Sequence, residues 1–245
     1  MLTKSLVIAA LSASLVLVTS PLTGALESGP ASSGPVATGV VPAPPRGTIY
    51  SQPAAIGFSV NASTEFNSEV ADDLPDSLVG RSVGEVTLYV AEWAHWEWVE
   101  PLGIIISFYD GTCQPDLAPA VTCSVGWSDL VTELLDESPP TRIVYSATAA
   151  LPSPVTVTAD MSIGAYVVTD WEPQPYAGLT MTAPDNIYGC GQAYWDDEEH
   201  GAPRWTPLSD ATTISADLAF CLAESGTGID DAAPVSWSRI KSIYK

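Results

Sequence analysis

From Val60 onward, β-branched and aromatic residues come in short runs bounded by Gly, Pro, Asp and Asn, a pattern that predicts strand after strand. Val86, Leu88 and Val90 alternate with Thr87, Tyr89 and Ala91, which places one apolar row on one face of a half-buried strand. Residues 103–110, Gly-Ile-Ile-Ile-Ser-Phe-Tyr-Asp, are apolar on both faces and too short for a typical helix, as suits a strand in the middle of a sheet. Further strands are predicted at 121–127, 142–148, 155–159, 163–169, 179–182, 187–195 and 217–222, with an edge strand at 47–51. Ahead of the C-terminal region, only residues 129–137 carry a helical pattern. Many short strands without alternating helices predict an all-β fold, an antiparallel β-sandwich of jelly-roll type over residues 47–222.

The regions flanking this domain read differently. Lys4, an apolar run from Leu6 to Val18 and the small-residue exit Thr23-Gly24-Ala25 have the layout of a cleavable signal peptide over residues 1–25. A membrane span needs about 20 apolar residues, so no transmembrane segment is expected once the signal is removed. No cysteine precedes Cys113, so the thiol of a lipoprotein signal is missing. Residues 26–46 are rich in Pro, Gly and Ser and read as an extended linker, and residues 223–234 as a second one. In the tail at 235–245, Ser236 is a helix-cap candidate, and Trp237, Ile240 and Ile243 or Tyr244 recur on one side of a short helix. Arg239, Lys241 and Lys245 make this tail basic, so it is expected to dock on its own acidic domain or on a surface-attachment partner, with a frayed, functionless terminus as the alternative.

Charge narrows the partners. The chain has 8 Lys plus Arg against 29 Asp plus Glu, a net −21, and loss of residues 1–25 with their one lysine takes this to −22. Affinity for phosphate backbones comes from cations that release counterions, so nucleic acid is not an expected partner.

Four cysteines in an exported chain imply two disulfides, for which four thiols allow three connectivities. Cys113 and Cys123 close a short loop beside Gly111 and Pro115, which leaves Cys190 with Cys221. Metal-ligating thiolates fit poorly, because no Cys-x-x-Cys pair occurs and the only histidines are His95 and His200.

Six short segments occur in a recognisable order: Thr48-Ile-Tyr-Ser-Gln-Pro, Val70-Ala-Asp-Asp-Leu, Ile105-Ile-Ser-Phe-Tyr-Asp, Tyr194-Trp-Asp-Asp, Trp205-Thr-Pro-Leu-Ser and Asp217-Leu-Ala-Phe. Together, over residues 47–222, they resemble the landmarks of a secreted bacterial β-sandwich module that has no assigned activity. Leu74 stands where that module usually has Phe. The resemblance implies a fold and an extracytoplasmic location, and no chemistry.

Catalytic signatures are missing: there is no Gly-x-Ser-x-Gly turn, no His-Glu-x-x-His pair and no phosphate-cradling glycine loop, and no catalytic residue is assigned. A glycoside hydrolase needs only two spaced carboxyl groups, which Glu92, Glu97, Glu100 or the run Asp196-Asp-Glu-Glu could supply, but on a chain this acidic solvated surface acids are the simpler account. The more distinctive clusters are aromatic, with Trp93, Trp96 and Trp98 in one segment and Trp195 and Trp205 around another. Rings beside acids form carbohydrate platforms, although Trp equally fills sandwich cores. Asp72, Asp73 and Asp217 lie near the first and last strands and are candidate ligands for structural calcium, with strand ending or turn capping as the plainer role. Two functions are therefore expected to compete: a secreted or cell-surface binding or adhesion module for a glycan or surface protein, and a passive spacer domain.

Overall fold

The computed structural model describes residues 47–93, 100–111, 113–138, 142–170, 176–183, 187, 189, 194–197, 202–212 and 215–225. The segments expected to be a signal peptide (1–25) and a first linker (26–46) lie outside this set, as do residues 226–245, Trp96, Trp98, His95 and His200.

The described residues form two antiparallel sheets. The strands are β1 (Thr48–Gln52), β2 (Ser59–Asn61), β3 (Glu69–Asp73), β4 (Ser82–Trp93), β5 (Gly103–Asp110), β6 (Val121–Gly126), β7 (Val131–Ser138), β8 (Arg142–Thr156), β9 (Met161–Val168), β10 (Tyr176–Thr180), β11 (Tyr194–Asp197), β12 (Ala202–Pro207) and β13 (Phe220–Ala223). A short helix, α1 (Leu208–Thr212), follows β12. In the seven-stranded sheet, β4 is flanked on one side by β8 and then β7. On its other side, β13 pairs with residues 85–88 and β10 with residues 90–93, with β1 and β2 outside them. The six-stranded sheet runs β12-β11-β3-β9-β5-β6.

One core lies between the sheets. Val86, Leu88 and Val90 of β4 face Val70 of β3, Ile104, Ile106 and Phe108 of β5, and Ile163, Ala165 and Val167 of β9 in a single apolar cluster. The alternation that predicted β4 therefore points its apolar row inward. The other row is buried as well, contrary to the half-buried expectation. Tyr89 packs with Ala54, Ala219 and Cys221, and Ala91 packs with Ile56 and Val144, because the segment between β1 and β2 folds over the outer face.

The predicted helix at 129–137 is instead a three-residue 3-10 turn, Trp127–Asp129, followed by strand β7. Its helical apolar spacing comes from a register shift between Leu134 and Asp136, which lets Leu135 reach the outer apolar clusters while β7 keeps its ladder to β8. The strands predicted at 142–148 and 155–159 are one long β8, and Gly47–Ser51 is indeed at an edge, as β1.

Candidate functional site

Three of the sequence landmarks meet at one point between the sheets. β1 ends at Gln52, β3 carries Asp72, and Asp217 and Leu218 lead into β13. Gln52 Nε2 donates to Asp72 Oδ2 at 3.2 Å, and the Leu218 amide donates to the same oxygen at 3.0 Å. The Asp73 amide donates to Asp72 Oδ1 at 2.9 Å. Gln52 ends a strand of the seven-stranded sheet, Leu218 leads into β13 of the same sheet, and Asp72 is in the six-stranded one, so this carboxylate ties the two layers together. Here the chain also leaves the first sheet for the second: Thr182 N donates to Asp217 O at 2.8 Å, and Asp217 N donates to Thr182 Oγ1 at 3.1 Å. Between those residues the chain travels to β11, β12 and α1 and returns.

Gln52, Asp72 and Asp217 are fully buried. Burial, the nearby charge of Asp217 and then that of Asp73 raise the Asp72 carboxyl well above the ordinary carboxylate range, and the hydrogen bonds it accepts from Gln52 and Asp73 only partly offset this.

Asp72, Asp73 and Asp217 were candidate calcium ligands, and they do not act as a triad. Adjacent residues of a strand point to opposite faces. Asp72 faces the other sheet, so Asp73 turns outward, where its carboxylate fills the space a side chain at Gly189 would need; Gly189 itself has φ +70°. Among the described residues, no group of three or more His, Cys, Asp or Glu is arranged to hold a metal ion.

A second feature occupies the outer face of the six-stranded sheet, and the sequence patterns had not singled it out. Tyr109 OH donates to Glu69 Oε2 at 2.8 Å, and the Tyr109 ring meets Trp205 edge-on with centroids 5.1 Å apart. Gly164 lies beneath this contact, where an added Cβ would strike Glu69 and the Tyr109 ring. Burial and the Glu69 charge raise the phenols of both Tyr109 and Tyr166. Glu69 thus sits by two tyrosines, one buried and one half-buried. Beside them, half-buried Ile105 and Val168 and exposed Thr122 and Ser124 share this face through the β5–β9 and β5–β6 registers. The signal was present in the sequence: Glu69 and Tyr109 take the parity opposite to Val70 of β3 and to Ile104, Ile106 and Phe108 of β5, which face the core.

The aromatic platform is corrected at Trp205, which is 2% exposed and donates Nε1 to Asp116 O at 3.0 Å. It is a core residue of the outer face, packed on Ala71 and Tyr109. Trp93 ends β4 opposite Tyr176, and Trp195 pairs in β11 with Val70 and Thr206. Of the acids weighed for glycoside hydrolysis, Glu92 continues the inward row of β4 and is buried, and burial together with the Glu100 charge pushes its carboxyl up to about 9. Its Oε1 has no hydrogen-bond partner. Glu97, offered with it, lies outside the described residues.

Both expected disulfide pairings are overturned, because Cys123 and Cys221 are buried free thiols. Cys123 lies opposite Ile106 and turns into the core, away from the exposed loop that carries the disulfide-bonded Cys113. Cys221 packs on the outer face of the other sheet, 3.0 Å from Ser51 Oγ and 3.4 Å from Tyr89 OH. Cys190 lies outside the described residues.

Comparison with protein-family models, with curated proteins and with solved structures finds no match. No helix among the described residues is long and apolar enough to cross a membrane.

Proposed function

We propose that this chain is an exported binding module of the cell exterior, and that its ligand face is the outer surface of the six-stranded sheet around Glu69, Tyr109 and Tyr166. The observation that carries this reading is the juxtaposition on one sheet face of a carboxylate held by a tyrosine hydroxyl, a second, half-buried tyrosine, and a strip of half-buried apolar and exposed hydroxyl side chains. A pyranose has an apolar ring face and a rim of hydroxyls. Tyr166 and Ile105 offer the first a stacking surface, and Thr122 and Ser124 offer the second hydrogen-bond partners. A rigid sheet holds these groups in place before the ligand arrives, so little ordering entropy is lost on binding. The signal segment at 1–25 and the strongly acidic composition support an extracytoplasmic setting.

A glycan array probed with the full chain tests the reading. Binding to a defined set of glycans is expected, weakened roughly tenfold or more by Tyr166→Ala, which removes about 1.4 kcal/mol or more of stacking. No binding across the array leaves the second reading, a passive spacer domain, which is favoured by the burial of Trp205 in place of its display.

A further inference from the structure

Cys113 is disulfide-bonded. The chain has four cysteines, and Cys123 and Cys221 are buried free thiols, which leaves Cys190 as the partner. The fold brings the flanks of Cys113 and Cys190 together independently of that elimination. Ahead of Cys113, the connection from β5 to β6 is seated on the start of β9: Gly111 N donates to Asp160 O at 2.6 Å, and Ser162 Oγ donates to Gly111 O. Ahead of Cys190, Gly189 lies so close to β3 that an added Cβ would strike the Asp73 carboxylate. Asp73 and Ser162 are register partners in the β3–β9 ladder, where neighbouring strands run about 4.8 Å apart. Gly111 and Gly189 therefore stand over adjacent points on the outer face of the six-stranded sheet.

We propose that Cys113 and Cys190 form a disulfide that staples the β5–β6 connection to the β10–β11 connection across the outer face of the six-stranded sheet. Cys113 is two residues past Gly111, and Cys190 is one past Gly189. At about 3.8 Å per residue, these steps can bring the two Cα atoms within the roughly 4.4–6.8 Å that a disulfide spans. Formation joins the two Sγ atoms, and the two protons and two electrons pass to a disulfide-bearing oxidant of the exterior compartment, which becomes a dithiol. The bond encloses β6 to β10, and closing that loop removes freedom from the unfolded chain. It also fastens the connection that carries Asp116, whose carbonyl accepts Trp205 Nε1. The pairing does not depend on what the outer face binds.

Non-reducing peptide mapping of the full chain from an oxidising host tests the pairing without any variant. A peptide that joins Cys113 to Cys190, and separates on reduction, is expected. Cys113 joined to Cys123 or Cys221 overturns the proposal, as do free thiols at both Cys113 and Cys190. The staple is read by thermal unfolding. Dithiothreitol should lower the melting temperature of the wild type by roughly 5 °C or more, the size of shift that follows when a long loop is released. The double variant Cys113→Ser, Cys190→Ser should start from the lowered value and show no further response to the reductant. If that variant does not fold, the wild type measured with and without dithiothreitol decides alone. A wild-type melting temperature that reduction leaves unchanged overturns the staple even where the peptide is found.

Discussion

Gln52 and Asp72 lie in different sheets and are joined by a 3.2 Å hydrogen bond across the interior. Asp72 gathers three N–H donors in all, and its loss strands each of them in the core. Asp72→Ala should therefore destabilise the fold by about 2–4 kcal/mol, the range for leaving several buried donors without their acceptor. Gln52→Ala removes only one of the donors and should cost less. In a double-mutant cycle read by urea unfolding, the two changes should show a coupling of about 1 kcal/mol or more. Additive effects would mean that the two sheets are not joined at this point.

Stability should fall as pH rises from about 5 to about 9, and Glu92 is one cause. Its carboxyl is raised in the folded state from the ordinary glutamate range to about 9. A raised acid stabilises fully below its unfolded pKa, where both states hold the proton, and the stability is lost as pH climbs to the folded value. In that window the folded chain holds a proton that the unfolded chain has released, so Glu92 should contribute a loss of about 1.4 kcal/mol per pH unit. Asp72 is displaced in the same direction and steepens the fall. Urea titrations across this range should show a clearly shallower slope for Glu92→Gln than for the wild type. Equal slopes would place Glu92 in contact with solvent.

The alternation of apolar and polar residues was enough to read the sandwich and most of its strands, because burial between two sheets imposes a period of two on β4 and β5 directly. The same signal failed at β7, where a register shift at an edge strand imitates a helical spacing. It also failed at the calcium triad. Asp72 and Asp73 look equivalent on paper, whereas the pleat sends them to opposite faces. Gln52, an uncharged residue at the end of an edge strand, carried no chemical signal until the fold brought it to Asp72. The cysteines were misread because spacing along the chain says nothing of which face a strand residue takes: Cys123 belongs to the inward row with Val125.

The thiols give a direct chemical test. Cys123 and Cys221 are buried and unbridged, whereas Cys113 is bridged. In protein from an oxidising host, an alkylating reagent should leave Cys123 and Cys221 untouched under native conditions and label both in denaturant without reductant. Cys113 should be labelled only after reduction. A peptide that joins Cys113 to Cys123 in non-reducing mass spectrometry would contradict the inward setting of Cys123.

Trp205 separates a display surface from a packed one. Its ring is closed off by Tyr109 and Ala71, its indole N–H is satisfied by Asp116 O, and its backbone holds φ +57°. A neutral quencher such as acrylamide should reach it poorly, so Trp205→Phe should remove fluorescence that comes mostly from the unquenched fraction. The same substitution should destabilise the domain by about 1–3 kcal/mol, because it deletes a buried hydrogen bond and part of an aromatic contact that a smaller ring cannot fill. Trp205→Ala should cost more, about 3–5 kcal/mol. Ligand binding at Tyr166 should survive Trp205→Phe as long as the domain stays folded, since Trp205 supports Tyr109 from the side and does not line the half-open strip of Ile105, Tyr166 and Val168. If quenching by acrylamide instead removes the Trp205 signal as readily as that of a free indole, and Trp205→Phe leaves the unfolding curve unchanged, then the ring is displayed to solvent and the aromatic platform centred on it is restored.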